Sequence, residues 1–233
     1  MKNLNMVMMV LGLILTGCNS TTSTPEAAPV TSTQTNYGSH LLFVAENGSV
    51  ASYTIDSSTG FPAQNSVSGI FQPNWSAPMD GTSSDCSIKL SPLGTYLFAV
   101  CSSRGFIEEY SIGDTGLLTS LGQFNLGVIS TNYNADALAF DSNGTLYVHV
   151  TENISPNTEK VYSVPFNEST NTLGSGTLVT SGYPSFEFTT TAQLDDVTYE
   201  INASTLAIDL DRDGAFADSM SFGNNTPTSI AIK

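Results

Sequence analysis

Four stretches of one pattern recur along this chain: "SIKLS" from Ser87, "ALAFD" from Ala137, "SFEFT" from Ser185 and "SIAIK" from Ser229. Their starts are spaced at roughly 50 residues, a period that belongs to repeat architectures rather than to a single irregular core. A second apolar run follows each of the first three: "YLFAV" from Tyr96, "LYVHV" from Leu146 and "VTYEI" from Val197. A fourth run of this second kind, "LLFVA" from Leu41, has no first strand before it. Third runs then alternate apolar and polar residues, as half-buried strands do: "VASYTID" from Val50, "FIEEYSI" from Phe106, "KVYSVPF" from Lys160 and "TLAIDLD" from Thr205.

Each third run leads into Asp, Asn, Ser and Gly, the residues that build turns: "DSSTGFP", "GDTGLL", "NESTNTLG" and "DRDGAF". Weaker fourth strands follow, for example "SVSGIF" from Ser66 and "ADSMSF" from Ala217. The unit is four antiparallel strands. The fold class is therefore all-β, a β-propeller of four-stranded blades, with about four repeats. The first blade begins at its second strand and the chain finishes on a first strand. "SIAIK" is thus expected to supply the innermost strand of blade one and to pair the two ends of the chain.

The stretch "SIKLSPLGTYLFAVCSSRGFIEEYSIGDTGLL" resembles the lactonase-like, YVTN-type propeller repeat: an apolar strand, a Pro-x-Gly turn, an aromatic-rich strand, a short loop, and a strand ending in an Asp/Thr-Gly turn. Blade two matches best, blades one and three in part, blade four weakly. The resemblance implies a propeller and raises lactone hydrolysis as an activity. Such proteins usually have seven blades, whereas this chain has repeats for four. A self-contained four-bladed ring, half of an eight-bladed ring from two chains, and a shortened relative all fit the repeats.

The N-terminus makes a separate statement. Lys2 precedes an uncharged run, Met6 to Leu15, too short for a resident membrane helix and suited to a signal peptide. The run ends in "LTGC", which resembles the bacterial lipobox and implies lipidation of Cys18, with acyl chains supplying the membrane anchor. The expected organisation is a signal peptide over 1–17, a flexible Ser/Thr/Pro tether over 18–36, and the propeller over 37–233. The expected place is the cell envelope. Asn19 follows the cysteine, where Asp retains lipoproteins at the inner membrane of enteric bacteria, so the outer membrane is expected in an organism with two. Net charge is −15, from 21 acidic and 6 basic residues, which argues against nucleic acid as a partner.

Candidate sites lie on the loops a propeller gathers on one face. Trp75, in the long stretch Gln72 to Asp85, is either a ligand platform or packing for that loop. Glu46, Arg104, Asp136 and Glu152 are the polar candidates nearby, with Tyr183 close to them. Together they suit a carbohydrate or an envelope protein as ligand. Cys86 and Cys101 flank a hairpin. If Ile88 pairs with Ala99 and Leu90 with Leu97, the cysteines fall opposite each other and can bond; otherwise they are two buried thiols.

"DLDRDG" opens like an EF-hand calcium loop through Asp209, Asp211 and Asp213. Its twelfth position is Met220 instead of Glu, and strand plus Asp-Gly turn is the simpler reading. The only two histidines are His40 and His149, the latter read as a packed strand residue. The sequence holds no Gly-x-Ser-x-Gly elbow, His-Glu-x-x-His pair or phosphate loop. The leading expectation is a non-catalytic binding module at the envelope. The alternative is a lactonase-like hydrolase acting on a small lactone or sugar-derived substrate.

Overall fold

The computed structural model describes residues 40–46, 48–62, 73, 75–79, 86–101, 106–126, 133–152, 156–186, 190–222 and 226–233, all within one unit, Gln34–Lys233. Cys18, the signal and tether segments, Arg104 and the strand expected from Ser66 lie outside the described residues.

Blade one is built from β1 (Leu41–Glu46), β2 (Ser49–Thr54) and β3 (Trp75–Pro78). Blade two comprises β4 (Cys86–Leu90), β5 (Tyr96–Cys101), β6 (Phe106–Ile112) and β7 (Leu118–Asn125). Blade three comprises β8 (Tyr133–Phe140), β9 (Thr145–Glu152) and β10 (Thr158–Asn167), with its outer strand split into β11 (Thr172–Leu173) and β12 (Thr177–Val179). Blade four is β13 (Thr191–Leu194), β14 (Val197–Asn202), β15 (Ala207–Arg212) and β16 (Ala215–Ser221). The last strand, β17 (Pro227–Ile232), returns to blade one, which has the order β17-β1-β2-β3. Its register sets Leu42 against Ile232 and Val44 against Ile230. All pairings are antiparallel, and the architecture is an all-β propeller.

Burial follows position in the blade. The second strand of blade one, β1, is buried along its whole length, and its counterpart β5 nearly so, as strands covered on both faces must be. The outer strand β7 is mostly exposed. Inner strands pack in the order β13, β17, β4, β8. An apolar cluster fills each seam along that series. Val44, Tyr53, Tyr199, Ile208 and Ile230 join blades four and one. Phe43, Ile88, Leu97 and Tyr110 join blades one and two. Phe98, Ile107, Leu138, Val148 and Val164 join blades two and three.

Among the described residues no such cluster joins blades three and four. The face of blade four turned away from blade one carries Thr198, Glu200, Asp209, Asp211 and Ser219 in register. That face is mostly polar, with Phe216 exposed opposite Asp211 near the turn.

Two expected strands are corrected. The first strand of blade four is β13 and not "SFEFT". A two-residue hairpin sets Leu194 against Val197, with Asp195 at φ 52°, and so fixes β13 beside β14. The partner of β2 is β3, which lies inside the stretch read as a long loop. Trp75 is therefore a strand residue opposite Ser52, and its side chain lies outside the described residues.

Turn chemistry is as the sequence implies. Asp56 accepts hydrogen bonds from the backbone N–H groups of Ser58 and Thr59, both at 2.9 Å, and Asn167 does the same for Ser169 and Thr170. Gly116, at φ +82°, brings blade two against blade one, where its carbonyl accepts from Ser52 Oγ at 2.8 Å. A Cβ there would lie 3.0 Å from that oxygen and 3.1 Å from Leu41.

Glu168 ties blade three to the first turn of blade two. It accepts from Ser91 Oγ, from Leu93 N at 3.0 Å and from Thr95 N at 3.3 Å. Partial burial opposes its charge, but these hydrogen bonds outweigh it and hold the carboxyl below the usual value of 4.5. A depressed folded pKa contributes stability that is present above the unfolded value and lost as pH falls through the folded one. Glu168→Gln is therefore expected to lower stability at neutral pH. It should also flatten the acid limb of a plot of urea midpoint against pH. An unchanged acid limb would show that the link contributes nothing.

Candidate functional site

A concavity sits on the face of blade three turned away from blade two. Along β9, Leu146, Val148 and Val150 point into the seam with blade two, so Tyr147, His149 and Thr151 point the other way. The segment after β12 folds back over that second face. Phe186 rests against His149 with ring centroids 5.5 Å apart, and Tyr183 lies 5.9 Å from Phe186. The result is a cleft of about 560 Å³ lined by His149, Glu159, Lys160, Val161, Leu178, Val179, Thr180, Tyr183 and Phe186.

A β-bulge completes its polar side. Ala135 pairs with Val150 and Ala137 with His149, leaving Asp136 as the extra residue. Its carboxylate accepts from Thr151 Oγ1 and lies 3.6 Å from His149 Nδ1. On the other side, His149 Nε2 is 3.7 Å from Glu159 Oε2. Lys160 Nζ contacts Glu152 Oε2 at 2.8 Å, and Thr158 Oγ1 donates to the same oxygen at 2.8 Å.

Of the sequence candidates, Asp136 and Glu152 thus border this cleft through His149 and Lys160. Glu46 does not. It is buried at the end of β1, where Tyr53 Oη donates to it at 3.4 Å. Burial first, and then the Glu46 charge, push the Tyr53 hydroxyl well above its ordinary pKa. Blade two repeats the device with Tyr110 and Glu108.

Cys86 and Cys101 face each other in the β4–β5 register and form a disulfide, with Cα atoms 4.1 Å apart. Asp209 and Asp211 stand on strand β15, while Asp213 sits in the turn at φ 51°. Asp209 accepts from Asn202 Nδ2 at 2.6 Å. The extended strand does not curl these three carboxylates around a common point. Among the described residues no three His, Cys, Asp or Glu side chains are grouped as a metal site.

Sequence reasoning missed two cleft residues. His149 was read as packing, although its place in the outward register of "LYVHV" was the available signal. Phe186 was read only as part of the expected strand from Ser185, whose residues 187–189 lie outside the described residues.

The a–b turns mark the opposite end of the propeller. Lys233 and Leu41 exchange backbone hydrogen bonds at 3.0 and 2.9 Å. The Lys233 side chain lies beside Gly94 in the turn of blade two, and Pro92 there lies beside Gly144 of blade three. Leu41 and Lys233 therefore lie at this end, whereas the cleft lies toward the other end of β9 and β12.

No protein-family model matches the chain, and no curated protein matches it. Solved structures resemble it distantly. The periplasmic gluconolactonase PpgL of Pseudomonas aeruginosa shares 13% identity at a TM-score of 0.39, covering 81% of this chain and 55% of that one. A Lactobacillus plantarum protein shares 14% at 0.40, covering 80% and 52%. A functionally unknown Desulfotomaculum acetoxidans protein shares 17% at 0.41, covering 82% and 61%. The chain thus spans little more than half the length of these proteins. At these levels the likeness carries no statement about activity.

Proposed function

We propose that this chain is an exported lipoprotein, anchored through Cys18, whose propeller acts as a binding module at the cell envelope. The observation that carries the binding function is the cleft on blade three. A rigid sheet forms its floor, the aromatic pair Tyr183 and Phe186 forms its wall, and its charged groups are held by partners instead of being set against a nucleophile.

The second reading is a lactonase-like hydrolase. The approach of Asp136 to His149 at 3.6 Å favours it, since a carboxylate beside an imidazole at a cleft can orient a general base.

Two experiments test these proposals. Cys18→Ser is expected to move the protein from the membrane pellet to the soluble fraction and to abolish incorporation of labelled fatty acid. Retention in the pellet would sink the anchor. Neutral oligosaccharides, peptides and small lactones titrated into wild type, Phe186→Ala and His149→Asn test the cleft. Binding without turnover, weakened about tenfold by Phe186→Ala at unchanged melting temperature, is the expected result. Lactone opening lost in His149→Asn would favour the hydrolase. Ligand responses indifferent to both variants would exclude the cleft altogether.

A further inference from the structure

We infer that the cleft on blade three selects an organic ammonium group, either that of a small amine or the end of a lysine side chain. This rests on the cleft being a binding site, and it adds the chemical class of the ligand.

Charge comes first. Lys160 is the only fixed cation among the described lining residues, and Glu152 already neutralises it at 2.8 Å. Asp136 and Glu159 stand on either side of His149 at 3.6 and 3.7 Å. With Lys160 neutralised by Glu152, the carboxylates of Asp136 and Glu159 on either side of His149 leave negative charge in excess at the cleft. The Glu159 side chain is 79% exposed, so its carboxylate stands at the rim, where a ligand can reach it. The whole chain adds a field of the same sign at −15. A phosphate or carboxylate ligand would be repelled on approach and would find no unpaired cation among the described lining residues. A cation would be drawn in.

The walls make the second, independent case. Tyr183 and Phe186 meet at 42° with centroids 5.9 Å apart, and Tyr183 is 41% exposed. Their faces carry the negative side of the ring quadrupole, which attracts ammonium groups. Val161, Leu178 and Val179 continue the wall with apolar surface for the methyl or methylene groups that accompany an organic ammonium. A bare metal ion would use none of this surface. A volume of about 560 Å³ leaves room for the carbon skeleton as well as the charged head.

The test is calorimetric titration of the full chain with choline, tetramethylammonium and Nα-acetyl-lysine methylamide. Controls are 3,3-dimethylbutan-1-ol, the uncharged isostere of choline, and gluconate as an anion. Choline is expected to bind about tenfold more tightly than its isostere. Binding should weaken several-fold on raising salt from about 0.02 to 0.5 M. Glu159→Gln, at an exposed position that leaves folding intact, should weaken it by about five-fold. Tighter binding of tetramethylammonium than of the lysine amide would point to a small amine, and the reverse to a basic peptide; either supports the inference. Equal binding of choline and its isostere would overturn it, as would failure of all three cations.

In that case nuclear magnetic resonance of His149, Tyr183 and Phe186 separates the two levels. If a neutral oligosaccharide perturbs these residues and the cations do not, the class is wrong and the cleft remains a binding site. If no probe perturbs them, both proposals fall.

Discussion

A chain cut after Thr226 is expected to lose its cooperative unfolding transition and to aggregate or remain molten. The last strand is not an appendage. Ser229 and Ile230 are fully buried, and β17 lies between β1 and the inner strand of blade two. Ile230 belongs to the cluster joining blades four and one, and Ala231 to the cluster joining blades one and two. Thr228 Oγ1 donates to the Cys86 carbonyl at 2.9 Å, and Ile88 N donates to Ser229 Oγ at 3.3 Å. Removing the strand strips both seams and bares the edge of β1. A milder version is quantitative. Ile230→Ala should cost about 2–5 kcal/mol, which in a domain of this size lowers the melting temperature by roughly 4–20 °C. Thermal unfolding followed by circular dichroism checks both variants. A truncated chain melting within a degree or two of the intact one would contradict the fastening.

Replacing Cys86 and Cys101 together by Ser is the second large effect. The bond closes a loop with a sequence separation of 15. Constraint of the unfolded chain over such a loop contributes about 3 kcal/mol. The expected loss of melting temperature is roughly 6–12 °C. The bond lies in the seam of blades one and two, where Met79 Sδ is 3.8 Å from Cys101 Sγ, so the serine hydroxyls would also enter apolar surroundings. Reducing agent should lower the wild-type melting temperature and leave the double variant unchanged. Equal melting of wild type in oxidising and reducing buffer would show that the bond carries no stability.

The strands legible in the sequence were those whose burial is dictated by alternation. "FIEEYSI" is β6 residue for residue, and its buried positions are Ile107, Tyr110 and Ile112 together with Glu108. "SIAIK" could be assigned because a four-strand unit left one position vacant and one strand over. The strands that were hidden are short and weakly apolar. β13 buries only Leu194, and β3 is four residues in a Pro-rich stretch. Their places are set by a hairpin turn and by pairing, which local composition does not reveal.

The candidate site was half legible for a related reason. Asp136 and Glu152 stood out as polar residues beside loops. The cleft itself depends on a bulge at Asp136 and on the return of the segment carrying Tyr183 and Phe186 over the sheet. Both are tertiary events. Glu46 looked equivalent to Asp136 in the sequence, yet a buried tyrosine holds it inside blade one. Phe186 misled because Ser-Phe-Glu-Phe alternates as a strand does, while its ring is used against His149 instead.

The most direct measurement is a chemical-shift map of the chain with whichever probe binds most tightly among the oligosaccharides, peptides, lactones and amines. The expected result is that perturbations gather on His149, Glu159, Tyr183 and Phe186, with Glu46, Cys101 and Ser229 silent. Perturbations gathered on Glu46, Cys101 and Ser229, with blade three silent, would place the ligand at the inner strands of blades one and two and contradict the cleft as the site of function.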